Sequence, residues 1–137
     1  MIALATFDVR PEPRKRRFFR VMVWPTLRDL RKYVNSPITA GAHAATLTHT
    51  KPLVGNKYLS VEILFAERHL THDLITHECL HAVLGWAHLL GIDVSASVAA
   101  GLEGNFTNPD EERVCYAIGR THQRIMAQLK SEGFTIR

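Results

Sequence analysis

His77-Glu78-Cys79-Leu80-His81 sets two imidazoles four residues apart, with a carboxylate directly after the first. On a helix, positions four apart lie about 40° from each other around the axis, so both rings point at one spot where a metal ion can be held. Zinc suits such a donor set, taking imidazole and carboxylate ligands in tetrahedral geometry. Glu78 projects from an adjoining part of the helix, where it can take a proton from an attacking water instead of binding the ion. Cys79 points away from both histidines and is not read as a ligand. The chain holds 8 histidines, yet a shuffled chain of this composition would show the three fixed positions with a probability of only roughly 0.03.

A helix is needed to make that spacing useful, and the flanking residues supply one. Thr71 is an N-cap, and Leu74, Ile75, Leu80, Val83 and Leu84 recur at helical spacing. A catalytic zinc takes three protein ligands and keeps one position for water, so a third donor is required. His88 lies one residue too far along, as does Gly85, to match the pattern H-E-x-x-H-x-x-G-x-x-H; it reads as a helix-end or surface histidine. Asn108-Pro109-Asp110-Glu111 opens a second helix, with Asn108 as cap, Pro109 first and Glu111 at the capping-box position. On that helix Val114, Ile118, Ile125 and Leu129 are expected in the core with Cys115, while Glu112, Tyr116, Gly119 and Gln123 form an adjoining track. With Glu111 engaged in capping, Glu112 is the carboxylate placed to complete His77, His81 and zinc.

The run from His77 to Val83, followed by Glu112-Arg113-Val114-Cys115-Tyr116-Ala117-Ile118-Gly119, resembles the gluzincin arrangement of small zincin-like proteins of bacteriophage and prophage genomes. The resemblance extends from Leu70 to Leu129. It implies Zn2+ as cofactor, His77, His81 and Glu112 as its ligands, and Glu78 as base. Tyr116, one turn beyond Glu112, either donates a hydrogen bond to an oxyanion or packs between the helices.

The elements upstream must form the platform. Residues 2–9 and 18–24 are β-prone runs around a basic, Pro-bearing turn, which suggests a hairpin; residues 25–34 read as a short amphipathic helix ending near Asn35. Two further strands are expected around residues 42–50 and 57–66. The elements read as α+β, about four strands packed against the HExxH helix and a C-terminal helix in a single domain over residues 1–137, and the resemblance implies that this domain is a zincin-like metalloprotease. By analogy with that fold class, residues 58–66 form the strand edge that aligns a peptide substrate. Residues 91–107 show no clear period; they read as a flap hinged at Gly101 and Gly104 that presents Leu102 or Phe106, or as a surface loop.

A hydrophobic content of 46% in 137 residues suffices for one core. There is no apolar run long enough for a membrane span and no signal-peptide pattern, so a cytoplasmic protein with Cys79 and Cys115 as reduced, buried thiols is expected. Charge is uneven: residues 1–35 carry 9 Lys/Arg against 3 Asp/Glu, and the remainder 8 against 10. Arg14, Lys15, Arg16 and Arg17 at the hairpin tip are either a solvated turn or a contact for nucleic acid or an acidic protein surface. His43, His49, His69, His72 and His122 form no second pair at metal spacing. Two function classes emerge. One is a zinc-dependent metallohydrolase acting on peptide or protein; the other is a non-catalytic zincin-like protein that binds a host macromolecule or nucleic acid through the basic hairpin.

Overall fold

The computed structural model describes residues 2–35, 42–95 and 109–137. Strands β1 (Ala5–Val9) and β2 (Phe18–Trp24) pair antiparallel, Ala5 opposite Val23 and Val9 opposite Phe19, and so form the expected hairpin. Helix α1 (Leu27–Val34) follows, capped by Thr26, whose hydroxyl accepts the Asp29 N–H at 3.1 Å. It stops at Asn35, which adopts a left-handed conformation that a short polar side chain tolerates. Strands β3 (Ala44–Thr48) and β4 (Leu59–Ala66) complete a four-stranded sheet in the order β1-β2-β4-β3. Because β2 and β4 run parallel, the chain must cross the sheet between them, and α1 lies on that crossover. Helices α2 (His72–Leu89) and α3 (Pro109–Ser131) follow, giving an α+β architecture.

Alternation along the strands sorts the side chains into two cores. Phe19, Val21, Val23, Val61, Ile63 and Phe65 face α2 and α3, where they meet Ile75, Cys79, Val83, Trp86, Val114, Ala117, Ile125 and Leu129. Trp24, Ala45, Leu64 and Ala66 face the other way, onto Leu30 of α1. The sheet is thus a middle layer.

Three expectations need correction. β4 pairs with both β2 and β3, and all eight of its residues are buried, so residues 58–66 cannot offer a substrate edge. A near-continuous apolar run is what a strand covered on both faces requires. Among the described residues the outer strand on that side is β3. Cys115 is exposed, because α3 turns Val114, Ala117, Thr121 and Ile125 inward and leaves the next position outside; Cys79 is buried as expected, and both thiols are free. The basic turn is not wholly a solvated tip: Arg16 donates to the Tyr58 hydroxyl at 2.8 Å and Arg17 to the Ser60 hydroxyl at 3.1 Å.

Close contact between α2 and β3 depends on Gly85. A methyl group there would overlap the Thr48 hydroxyl and lie 3.2 Å from both Thr48 Cβ and Cγ2. The glycine therefore has a packing reason to sit inside a helix, where it costs about 1 kcal/mol relative to alanine.

Candidate metal centre

Thr71 starts α2 as expected, its hydroxyl accepting the Leu74 N–H at 3.1 Å. The last residue described also helps anchor that end: the His72 N–H donates to the Arg137 carbonyl at 3.1 Å, and the Arg137 N–H to the Leu70 carbonyl at 3.0 Å. Six residues into the helix stands His77, exposed, with His81 one turn on. Their Nε2 atoms are 3.1 Å apart. Two nitrogens bound at about 2.0–2.1 Å around a tetrahedral ion would be about 3.3 Å apart, so this pair fits zinc nearly as it stands.

Glu78 faces differently from the histidines. It is 6% exposed and accepts a hydrogen bond from the Thr46 hydroxyl on β3. A buried carboxylate needs such a donor, and Thr46 also fixes its direction. A cavity of about 550 Å³ opens beside His77 and Glu78 and is lined also by His43, His69, Asp73 and Arg137. His43 and His69 sit ring against ring there, centroids 4.5 Å apart, although 26 residues separate them in the chain. Cys79, on the sheet side of α2, has its thiol pushed up to about 12 by burial and then by the neighbouring Glu78 charge. It remains a neutral, inert thiol.

The remaining candidates lie farther from this arrangement. Glu112 is on the exposed side of α3, and among the described residues no third His, Cys, Asp or Glu joins His77 and His81 in a metal-sized group. Tyr116 is 76% exposed, which removes the reading of a tyrosine packed between helices. His88 is exposed in the last turn of α2, consistent with a helix-end histidine. Leu80 and Leu84 are also exposed and flank His81 on the outer face of the helix. Asn108, the proposed cap of α3, and the flap residues Gly101, Leu102, Gly104 and Phe106 lie outside the described residues.

Sequence reasoning missed several contributors. Thr46 has no local signature, since its role depends on β3 lying against α2. Glu62, buried on β4, accepts from the Tyr33 hydroxyl and pairs with His49 Nε2 at 2.8 Å; burial, and then the hydrogen bond to Glu62 and its charge, push the Tyr33 phenol up to about 12. An acidic residue inside an apolar strand was a visible signal that partners would be needed. Glu12 clamps Arg113 through two hydrogen bonds of 2.6 and 2.8 Å, tying the basic turn to α3.

Compared with family models, with curated proteins and with solved structures, the chain gives no match. Among the described residues no helix is long and apolar enough to cross a membrane.

Proposed function

We propose that this chain is a zinc-dependent hydrolase of the zincin-like, gluzincin type that cleaves peptide bonds. The observation that carries the reading is the 3.1 Å approach of His77 and His81 Nε2 on one face of α2, with the Glu78 carboxylate held beside the same cavity by Thr46. His77 and His81 would hold the ion; Glu112, which does not stand with them among the described residues, is proposed as third ligand on the sequence resemblance alone. Zinc in that position would supply Lewis-acid polarisation of the scissile carbonyl and a more acidic water.

The chain's own groups do the rest. Glu78 takes the proton as a water oxygen bonds to the carbonyl carbon, then passes it to the nitrogen as the C–N bond breaks, so the amine leaves neutral. Thr46 keeps the carboxylate aimed while it is unprotonated. An extended peptide is accommodated by the outer edge of β3, whose backbone groups can pair with it. Tyr116 is kept as a proposed hydrogen-bond donor to the oxyanion.

The test couples zinc content to hydrolysis of a quenched fluorescent peptide library. Glu78→Gln should keep the metal and the fold and lose about 10²–10⁴ in rate. His77→Ala or His81→Ala should abolish tight zinc binding, and Glu112→Gln should weaken it. Equal hydrolysis by parent and Glu78→Gln protein at matched zinc content would sink the catalytic reading.

A further inference from the structure

Away from the histidine pair, a second, partly open cavity of about 480 Å³ is lined by Glu12 and the basic turn Lys15-Arg16-Arg17, by Lys57 and Tyr58, and by Trp86 and Arg113 of the two helices. Trp86 lies nine residues after His77, half a turn round α2 and about 13 Å along it, so the two cavities are on opposite sides of the helix. Its wall carries five cationic side chains against a single carboxylate, and that carboxylate, Glu12, is already paired with Arg113. Arg16 and Arg17 spend their hydrogen bonds on neutral hydroxyls, those of Tyr58 and Ser60.

The positive charges are brought together by the fold. Arg16 stands over the Tyr58 ring at 5.5 Å and Lys57 over the same ring at 5.0 Å, although they come from separate loops. Their combined hydrogen bonds and field lower the Tyr58 phenol below its usual 10. Arg113 is positioned by Glu12 and lies over Trp86 at 5.5 Å. Like charges crowded into a concavity repel one another, and a bound anion relieves that repulsion.

We propose that this cavity is a phosphate-binding site for single-stranded nucleic acid, in which Lys15, Arg16, Arg17 and Lys57 contact the backbone. The volume falls in the range of about 300–1,000 Å³ that takes small organic groups, so it admits a nucleotide unit of a flexible strand, whereas a stiff duplex cannot enter a concavity of this size. Arg16 already lies over the Tyr58 ring, so a base would extend that stack on the outer face of the guanidinium. An acidic peptide brings the negative charge without the flat group.

Fluorescence anisotropy with a labelled oligothymidylate of about 12 nucleotides tests this over a salt series. The parent should bind at low salt. The double substitution Lys15→Ala/Lys57→Ala removes two exposed cations; it should keep the parent's circular dichroism and zinc content, and should flatten the slope of log K against log salt by about 1.4, about 0.7 for each lost phosphate contact. Arg28→Ala/Lys32→Ala makes the same charge change on α1, across the sheet, and should leave the slope at the parent value. An equal loss in both variants would reduce the effect to net charge and overturn the proposal, as would no binding at low salt. Displacement by thymidine monophosphate or by polyglutamate at matched charge concentration as readily as by unlabelled oligothymidylate would overturn it in favour of a mononucleotide site or an acidic protein partner.

Discussion

Replacing Gly85 by alanine should loosen α2 from β3. Helix propensity alone says the opposite, since alanine is favoured over glycine in a helix by about 1 kcal/mol. The added methyl, however, would overlap the Thr48 hydroxyl and approach its Cβ and Cγ2 to 3.2 Å. Rotating Thr48 about χ1 can at best turn its Cβ hydrogen toward the methyl and leaves Cβ at 3.2 Å, so the strand itself must give. Overpacking of this kind costs about 1–3 kcal/mol, and with three atoms involved the upper half of that range applies. After the propensity gain, Gly85→Ala should be destabilised by about 1–2 kcal/mol, a fall in Tm of about 4–8 °C for a domain of this size. Thr48→Ala removes the hydroxyl and Cγ2, so in its background the glycine substitution should cost far less. Urea denaturation of the four proteins gives the coupling directly. A rise in Tm for Gly85→Ala, or additivity of the two substitutions within about 0.5 kcal/mol, would refute the reasoning. Thr46 shares that face of β3, two residues earlier, so any hydrolytic activity should fall along with stability.

Thr46→Val should cost about 1–3 kcal/mol by leaving the buried Glu78 carboxylate without its hydroxyl donor, whereas Thr46→Ser should stay near the parent; equal urea midpoints for Val and parent would count against the contact. The hydrogen bond from Arg113 holds the Glu12 carboxyl below the usual 4.5. Its contribution to stability is therefore complete above pH 4.5 and is lost as pH falls through the lowered value, so the acid limb of stability should flatten in Glu12→Gln; parallel limbs for the two proteins would contradict this. At about pH 8 a thiol reagent should modify Cys115 in the native protein and Cys79 only after unfolding, because the Cys79 thiol is both buried and held to about 12; comparable native rates for the two would overturn that reading.

Local chemistry was legible where the signal was local. Thr71 announced its helix through capping geometry, the β1–β2 hairpin showed in its two β-prone runs, and the facing of His77 and His81 followed from the helical repeat. Strand order was not legible. An apolar run such as β4 can be read as an edge or a centre until its neighbours are known, and the parallel pairing with β2 skips over α1 and β3. Cys115 was misplaced because positions 114 and 115 both fit an apolar stripe, and only packing against α2 chose between them. Thr46, His49 and Tyr33 were invisible as partners, since each meets its carboxylate through a tertiary contact. The spatial place of Glu112 depends on how α3 is approached, which helix periodicity does not specify.

Strand β3 is tied on both of its faces, and the two ties act as a register gauge. Thr46 reaches Glu78 on the side of α2, while His49, just beyond the strand, reaches Glu62 on the side of α1. A slip of one residue would turn the apolar face outward, but a slip of two preserves alternation and is resisted by hydrophobic patterning far less. A slip that brings Ala44 to the place of Thr46 would separate Thr46 from Glu78 and His49 from Glu62 in the same movement, leaving Glu78 without its hydroxyl donor and Glu62 with Tyr33 alone. Alignment of an outer strand is thereby coupled to alignment of the proposed base, so chains that mispair at β3 during folding also assemble without an aimed Glu78.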